Sequence, residues 1–180
     1  MLRDEDLVRL ALEGSPAAFN VLVERYQVRL TRFLMHRVGN PHDAEELAQE
    51  AFLKTYMALD RFDPQYRFST WVYRIAINLS IDHLRKNQAG KMELNPEQPD
   101  PLSDASDLLE TKERFHEFMH ALRQLPEEFR LLIEMRHFLE MSYNDMAETL
   151  DLPLGTVKNR LFRARQALLA LVEENHESVQ

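Results

Sequence analysis

The sequence predicts an all-α protein: two small helical domains joined by a flexible linker, the second containing a helix-turn-helix. Three observations predict it. Apolar residues recur at spacings of three and four along most of the chain, and alternating strand patterns are lacking. Gly is scarce at four residues, and Pro falls mostly at helix starts and in one linker. One stretch, Asn87–Ser106, has three prolines, few apolar residues and acidic charge, which is linker composition. It divides the chain into domains near 1–91 and 107–180, with 92–106 as the linker between them.

The elements follow in order. Asp4–Leu12 is a short helix ended by Gly14, and Ser15-Pro16 caps the next, which runs to about Val38. Its inner stripe is Phe19, Leu22, Val23, Tyr26, Leu30, Phe33 and Leu34. Gly39-Asn40-Pro41 is a stop and restart: a C′ glycine, an N-cap Asn and an N1 Pro, with Asp43 at the third helical position. A helix over His42–Leu59 buries Ala44, Leu47, Ala48, Ala51 and Phe52. On another side it gathers Glu46, Gln49, Glu50, Leu53 and Met57, apolar residues framed by acids. That side is either a docking surface for a partner helix or a second packing face.

Arg61–Phe68 is a basic and aromatic loop (Arg61, Phe62, Tyr66, Arg67, Phe68), and Ser69 or Thr70 caps a helix to about Lys86. This helix is apolar on two sides, with Val72, Ile75, Ala76 and Leu79 on one and Tyr73, Ile77, Ile81 and Leu84 on the other. Trp71, Arg74, Asn78, Asp82 and Arg85 form one outward column. An aromatic with cationic and amide neighbours suits unstacked bases, offering a stacking platform, phosphate contacts and a base-edge reader. The competing reading is a core Trp71 beside a surface ion-pair ladder of Arg74, Asp82 and Arg85.

The second domain resumes with a helix over Asp107–Leu125, with Leu108, Phe115, Met119 and Leu122 inward. Pro126, Glu127 and Glu128 start another that runs to about Leu139. Ser142–Leu169 then reads as two helices around a tight turn. Ser142 and Asp145 make a capping box, Met146, Ala147 and Leu150 an apolar stripe, and Pro153 takes the first position of the second helix. In that helix Leu154, Val157, Leu161, Ala164 and Leu168 share one face, while Asn159, Phe162, Arg163 and Gln166 share the opposite one. Lys158, Arg160 and Arg165 flank the polar face. A Phe among amide and cationic side chains on a wet face fits a DNA major groove, where Arg and Asn read base edges and Phe packs on a thymine methyl. An ordinary amphipathic hairpin is the bland alternative.

His116-Glu117-Phe118-Met119-His120 matches the H-E-x-x-H zinc-protease pattern, with Glu140 or His137 as a conceivable third ligand. Met119 in the core stripe and the lack of a cleft-forming sheet argue against metal chemistry, so no metal and no cofactor are expected. The absence of Cys excludes disulfides and thiolate metal sites, and no signal peptide or membrane span is apparent, which fits a cytoplasmic protein. Net charge is −8, yet residues 61–91 hold six basic and two acidic side chains, and residues 153–169 hold four basic and none acidic. Two basic islands in an acidic chain suggest two nucleic-acid contacts and poor DNA affinity for the protein alone.

Four stretches together carry a family resemblance: NPHDAEELAQEAFLKTYMAL (40–59), FDPQYRFSTWVYRIAINLSIDHLRKN (62–87), LPEEFRLLIEMRHFLEMSYNDMAETL (125–150) and LPLGTVKNRLFRARQAL (152–168). In this order and spacing the chain resembles a bacterial RNA polymerase sigma factor of the extracytoplasmic-function group. The linker has no room for the additional domain that housekeeping sigma factors place there. The resemblance implies a non-enzymatic factor whose partners are core RNA polymerase, promoter DNA and an anti-sigma protein, with no small-molecule substrate and no insertion into a membrane. It implies polymerase docking by Glu46, Gln49, Glu50 and Leu53. It implies −10 recognition by Phe62, Arg67, Trp71, Arg74, Asn78, Asp82 and Arg85, with a base flipped out of the stack. It implies −35 recognition by Thr156, Lys158, Asn159, Phe162, Arg163 and Gln166. Three positions depart from the family pattern: Asp63-Pro64 where Gly often follows Asp, Asp151 where Gly is common in the turn, and Lys86 where Arg is frequent. Asp151 is therefore expected in a left-handed conformation. The rival of another class is a helix-turn-helix regulator with a ligand- or partner-sensing N-terminal domain.

Overall fold

Every element described is helical. The structure, a computed structural model, describes residues 2–89 and 109–177. The chain divides into two compact units, and the break in sequence between them falls within 90–108. The linker predicted over 92–106, and Asp107 and Leu108 of the helix after it, lie outside the described residues.

The first unit packs four helices, α1 (Asp4–Leu12), α2 (Pro16–Val38), α3 (Pro41–Met57) and α4 (Phe68–Ala89). Leu22, Leu30, Phe33 and Leu34 of α2, Ala44 and Ala51 of α3, and Val72 and Ala76 of α4 have no solvent exposure. Each large side chain buried there stabilises the unit by roughly 1.5–3 kcal/mol. Ala at the α3 contacts lets its axis approach its neighbours closely. Asp4 ties α1 down by accepting from Arg25 and from the Tyr26 hydroxyl of α2. Burial, and then that hydrogen bond, push the Tyr26 phenol far above its ordinary range, so it remains a donor.

The predicted stop and restart is present in full. Gly39 takes a φ of 71° and donates to Met35 O at 2.9 Å. Asn40 Oδ1 accepts from the His42 and Asp43 amides at 2.9 and 3.4 Å. Three boundaries differ from expectation. The α3 helix ends at Met57, and a 3-10 turn over Leu59–Arg61 carries Leu59 into the core. The α4 helix begins at Phe68, so neither Ser69 nor Thr70 is its cap: Trp71 N donates to Arg67 O at 3.3 Å, and Thr70 is buried with its hydroxyl unbonded. Phe68 is pulled in because its ring meets Phe19, Tyr26, Phe62 and Trp71. At the other end α4 continues to Ala89, past the Asn87 at which the linker was expected to begin.

The second unit holds α5 (Leu109–Gln124), α6 (Glu127–His137), most of α7 (Tyr143–Leu150) and α8 (Leu154–Glu177). Helix α8 packs on both α5 and α6. Its core includes Met119, Leu122, Leu132, Met135, Met146, Val157, Leu161 and Ala164. Ser142 and Asp145 form the expected box: the Asp145 amide donates to Ser142 Oγ at 3.1 Å, and the Ser142 amide to Asp145 Oδ2 at 3.2 Å. Asp151 is left-handed at a φ of 53°, and Leu152 N closes the turn on Ala147 O at 2.9 Å. Pro153 stands just outside α8 rather than at its first position, since its carbonyl accepts from Val157 at 3.1 Å. The acidic tail extends α8 to Glu177.

Candidate nucleic-acid interface

The helix-turn-helix of α7 and α8 presents one face of α8 to solvent. Val157, Leu161 and Ala164 are buried, whereas Lys158, Asn159, Phe162, Arg163 and Gln166 are exposed and Thr156 is half-buried. Phe162 keeps 63% of its surface exposed. Leu154, predicted inward, is exposed because it sits in the first turn, ahead of the packed part of the helix, and Leu168 is only half-buried. The exposed face combines a hydrogen-bonding fork, an amide and an apolar ring, the groups that read a major groove.

Two of its cations are held from α6. Arg160 Nη1 lies 3.3 Å from Glu128 Oε2, and the Arg163 guanidinium carbon lies 5.7 Å from the Phe129 ring centroid. Sequence reading took residues 126–128 as a helix start and passed over Phe129. No local signal marks either contact, because the partners are about thirty residues apart in the chain. Between α6 and α7, Arg136 donates to Met141 O at 2.8 Å and sits 5.8 Å over the Tyr143 ring.

In the first unit the α4 column is split in character. Arg74, Asn78, Asp82 and Arg85 are exposed, and Arg85 pairs with Asp82 at 3.6 Å. Trp71 is half-buried instead of fully outward. Its ring lies 5.4 Å from Phe62, tilted by 39°, and 6.2 Å from buried Phe68. The three rings make an aromatic wall at the helix start, with exposed Arg67 between loop and helix. Of the core-Trp and ion-pair reading, Trp71 is anchored to the core on one side, and the ion pair joins only Asp82 and Arg85 at the far end.

On α3, Glu46, Gln49 and Glu50 are exposed, with Leu53 58% and Met57 74% exposed. This side is therefore not a packing face within the unit. Tyr56, not singled out from sequence, is exposed beside them and stacks edge-on against Phe19 at 4.9 Å. Its position three residues beyond Leu53 could have signalled it.

The H-E-x-x-H helix does not assemble a ligand set among the described residues. His116 and His120 are exposed, and His120 Nδ1 lies 3.0 Å from the Gln124 amide and 3.4 Å from that of Asn175. His137 stacks between Phe118 and Phe138. Three potential ligand atoms come together only in the partly exposed group His42, Asp43 and Glu46 among the described residues. That group sits at the start of α3, where the helix dipole opposes a cation. No helix among the described residues is long and apolar enough to cross a membrane.

An exposed helix-turn-helix reading face in one unit and an aromatic, cationic column in the other define a DNA-binding factor of two helical units. Comparison with known proteins narrows this. The family model Sigma-70 region 2 matches residues 22–90, and Sigma-70, region 4 matches 115–168. The ECF RNA polymerase sigma factor SigW of Bacillus subtilis strain 168 is 31% identical over 182 residues, covering 89% of this chain and 92% of its own. The ECF RNA polymerase sigma-E factor of Escherichia coli K12 is 35% identical over 178 residues, covering 93% of each. The solved structure of CnrH in complex with the cytosolic domain of CnrY matches at a TM-score of 0.74 and 27% identity, over 95% of this chain and 97% of that one. The chain belongs to the sigma-70 family, in its extracytoplasmic-function group. It is a transcription initiation factor and not an enzyme.

Proposed function

We propose that the chain binds core RNA polymerase through α3, reads the promoter −35 element through α8, and captures unstacked −10 bases at the start of α4. The observation that carries the reading is the α8 face, where a largely exposed Phe162 stands among Asn159, Arg163 and Gln166 opposite a buried stripe. A helix that needed only solubility would not spend that position on Phe. In the groove, Arg163 and Asn159 pair with base edges, Phe162 packs on a thymine methyl, and Lys158 and Thr156 meet phosphates.

In the first unit, Arg74 and Arg67 neutralise phosphates while Asn78 pairs with the edge of an extruded base. The Phe62–Trp71 wall supplies the stacking surface that offsets the few kcal/mol, roughly, of unstacking. Asp82 and Arg85, paired with each other, shape the far end of the column. On α3, Leu53 is the apolar anchor, ringed by Glu46, Gln49 and Glu50, for a basic and apolar helix of the polymerase.

The partners are thus core polymerase, promoter DNA and an anti-sigma protein, and the place of action is the cytoplasm, where polymerase works. That a protein partner binds a chain of this fold is supported by the solved CnrH complex, whose second chain is the cytosolic domain of CnrY. No cofactor or small-molecule substrate enters. Reconstitution tests the whole reading: core polymerase plus this chain, with no other sigma factor, gives run-off transcripts from its own promoters. A complex that forms but yields no transcript from any genomic promoter would sink it. Family membership disfavours a ligand-sensing repressor, for which core polymerase would not be retained on an affinity column.

A further inference from the structure

Two adjacent residues in the first turn of α6 reach two cations on α8, and the contacts differ in kind. Glu128 holds Arg160 by charge across 3.3 Å. A phosphate can compete for that cation directly. Phe129 holds Arg163 by its ring, 5.7 Å from the guanidinium carbon. A ring attracts the cation through its quadrupole and offers no carboxylate to engage the guanidinium's N–H edge. That edge is what pairs with the O6 and N7 of a guanine in a major groove.

Arg is long and rotamer-rich, so docking it onto one base costs ordering unless something has already restricted it. Phe129 is half-buried on a helix packed against α8, and its neighbours Leu131 and Leu132 are in the core. The ring is therefore fixed relative to the groove-facing side of α8. We propose that Phe129 is a positioning residue for promoter reading, whose ring presets the N–H edge of Arg163 toward a purine in the −35 duplex. The inference rests on the reading of α8 as the −35 helix and adds that part of its base discrimination is set from α6.

The test uses the full chain bound to core polymerase and competition among duplexes carrying each single-base change in the −35 element. Phe129→Leu keeps apolar volume and removes the flat ring. Discrimination at the base pair read by Arg163 then falls about two- to fivefold, the range of an exposed cation–π contact. Preferences at the other base pairs persist, and Phe129→Tyr keeps wild-type discrimination. In the Arg163→Ala background, Phe129→Leu removes no further discrimination.

Unchanged discrimination in Phe129→Leu, an equal loss of affinity on every duplex, or additive loss in the double variant would each overturn the inference. So would the same change of preference from Glu128→Gln, which leaves the ring in place. If instead Arg163→Ala itself leaves all preferences intact, the reading of α8 fails at this residue and takes the inference with it. A cooperative melt establishes that each variant is folded. Phe129→Met carries the same expectations should Phe129→Leu lose that melt.

Discussion

At the scale of single residues, exposure and chemistry together decide which side chains carry recognition. Arg163 is exposed on α8 with its guanidinium carbon 5.7 Å from the Phe129 ring centroid, whereas Arg160 is half-buried and paired with Glu128. On the proposed reading of α8, Arg163 reads a base and Arg160 exchanges Glu128 for a phosphate. Arg163→Ala is expected to cost about 1–3 kcal/mol on the preferred −35 element and to blur preference at one base pair. Binding to single-base variants measures this, and an equal loss on all of them would mark Arg163 as a phosphate contact instead. Leu53 makes the complementary case on α3. An isolated exposed Leu is ordinary, but one adjoining exposed Tyr56 and Met57 among acids is the anchor that the proposed docking uses. Leu53→Asp is expected to abolish capture of core polymerase while the melting curve of the free protein stays put. Retained capture would exclude α3 as the docking face.

At the scale of elements, the termini explain both what could be read in advance and what could not. Gly39-Asn40-Pro41 and Ser142 with Asp145 are local chemistry, so their bonds form as the residue types dictate. Asp151 shows the same legibility at a cost. Its left-handed backbone costs an L residue about 1–2 kcal/mol, less for Asp, and Gly would relieve it while adding freedom to the unfolded chain. Asp151→Gly is expected to stabilise the second unit by up to about 1 kcal/mol. Denaturant unfolding followed by helical signal checks this, and a destabilised variant would show that the Asp side chain holds the turn. Boundaries set by tertiary packing were not legible. The α4 helix starts at Phe68 because four other rings surround that residue, and those rings come from three separate segments. The same holds for Phe129: a contact between residues of two helices leaves no trace in local periodicity. Trp71 was legible as special but not as half-buried, since a column on a helical wheel does not show the Phe62 ring that covers it.

At the scale of the molecule, charge governs how the parts are used. A chain of net charge −8 is repelled by DNA as a whole, yet its two basic islands coincide with the α8 face and the loop–α4 region. Screening reduces the repulsion beyond a Debye length of about 8 Å at physiological salt, so local cations act over short range only. The free chain should therefore bind a −35 duplex weakly, through α8 alone. Residues 153–169 contain four cations, Lys158, Arg160, Arg163 and Arg165, and no acid. If all four met phosphates, the slope of log K against log salt would be about −3.6, and fewer contacts make it shallower. Arg163 committed to a base, and Arg160 first having to leave Glu128, predict a slope nearer −2, at about −0.9 per phosphate neutralised. Lys158→Ala should then remove about one unit of slope and weaken all sequences alike, in contrast to Arg163→Ala. Titration of a labelled −35 duplex over a range of salt concentrations measures both quantities. A slope steeper than about −4 would mean that cations outside α8 also grip the duplex. In that case the first unit, and not polymerase, would supply the affinity that α8 lacks.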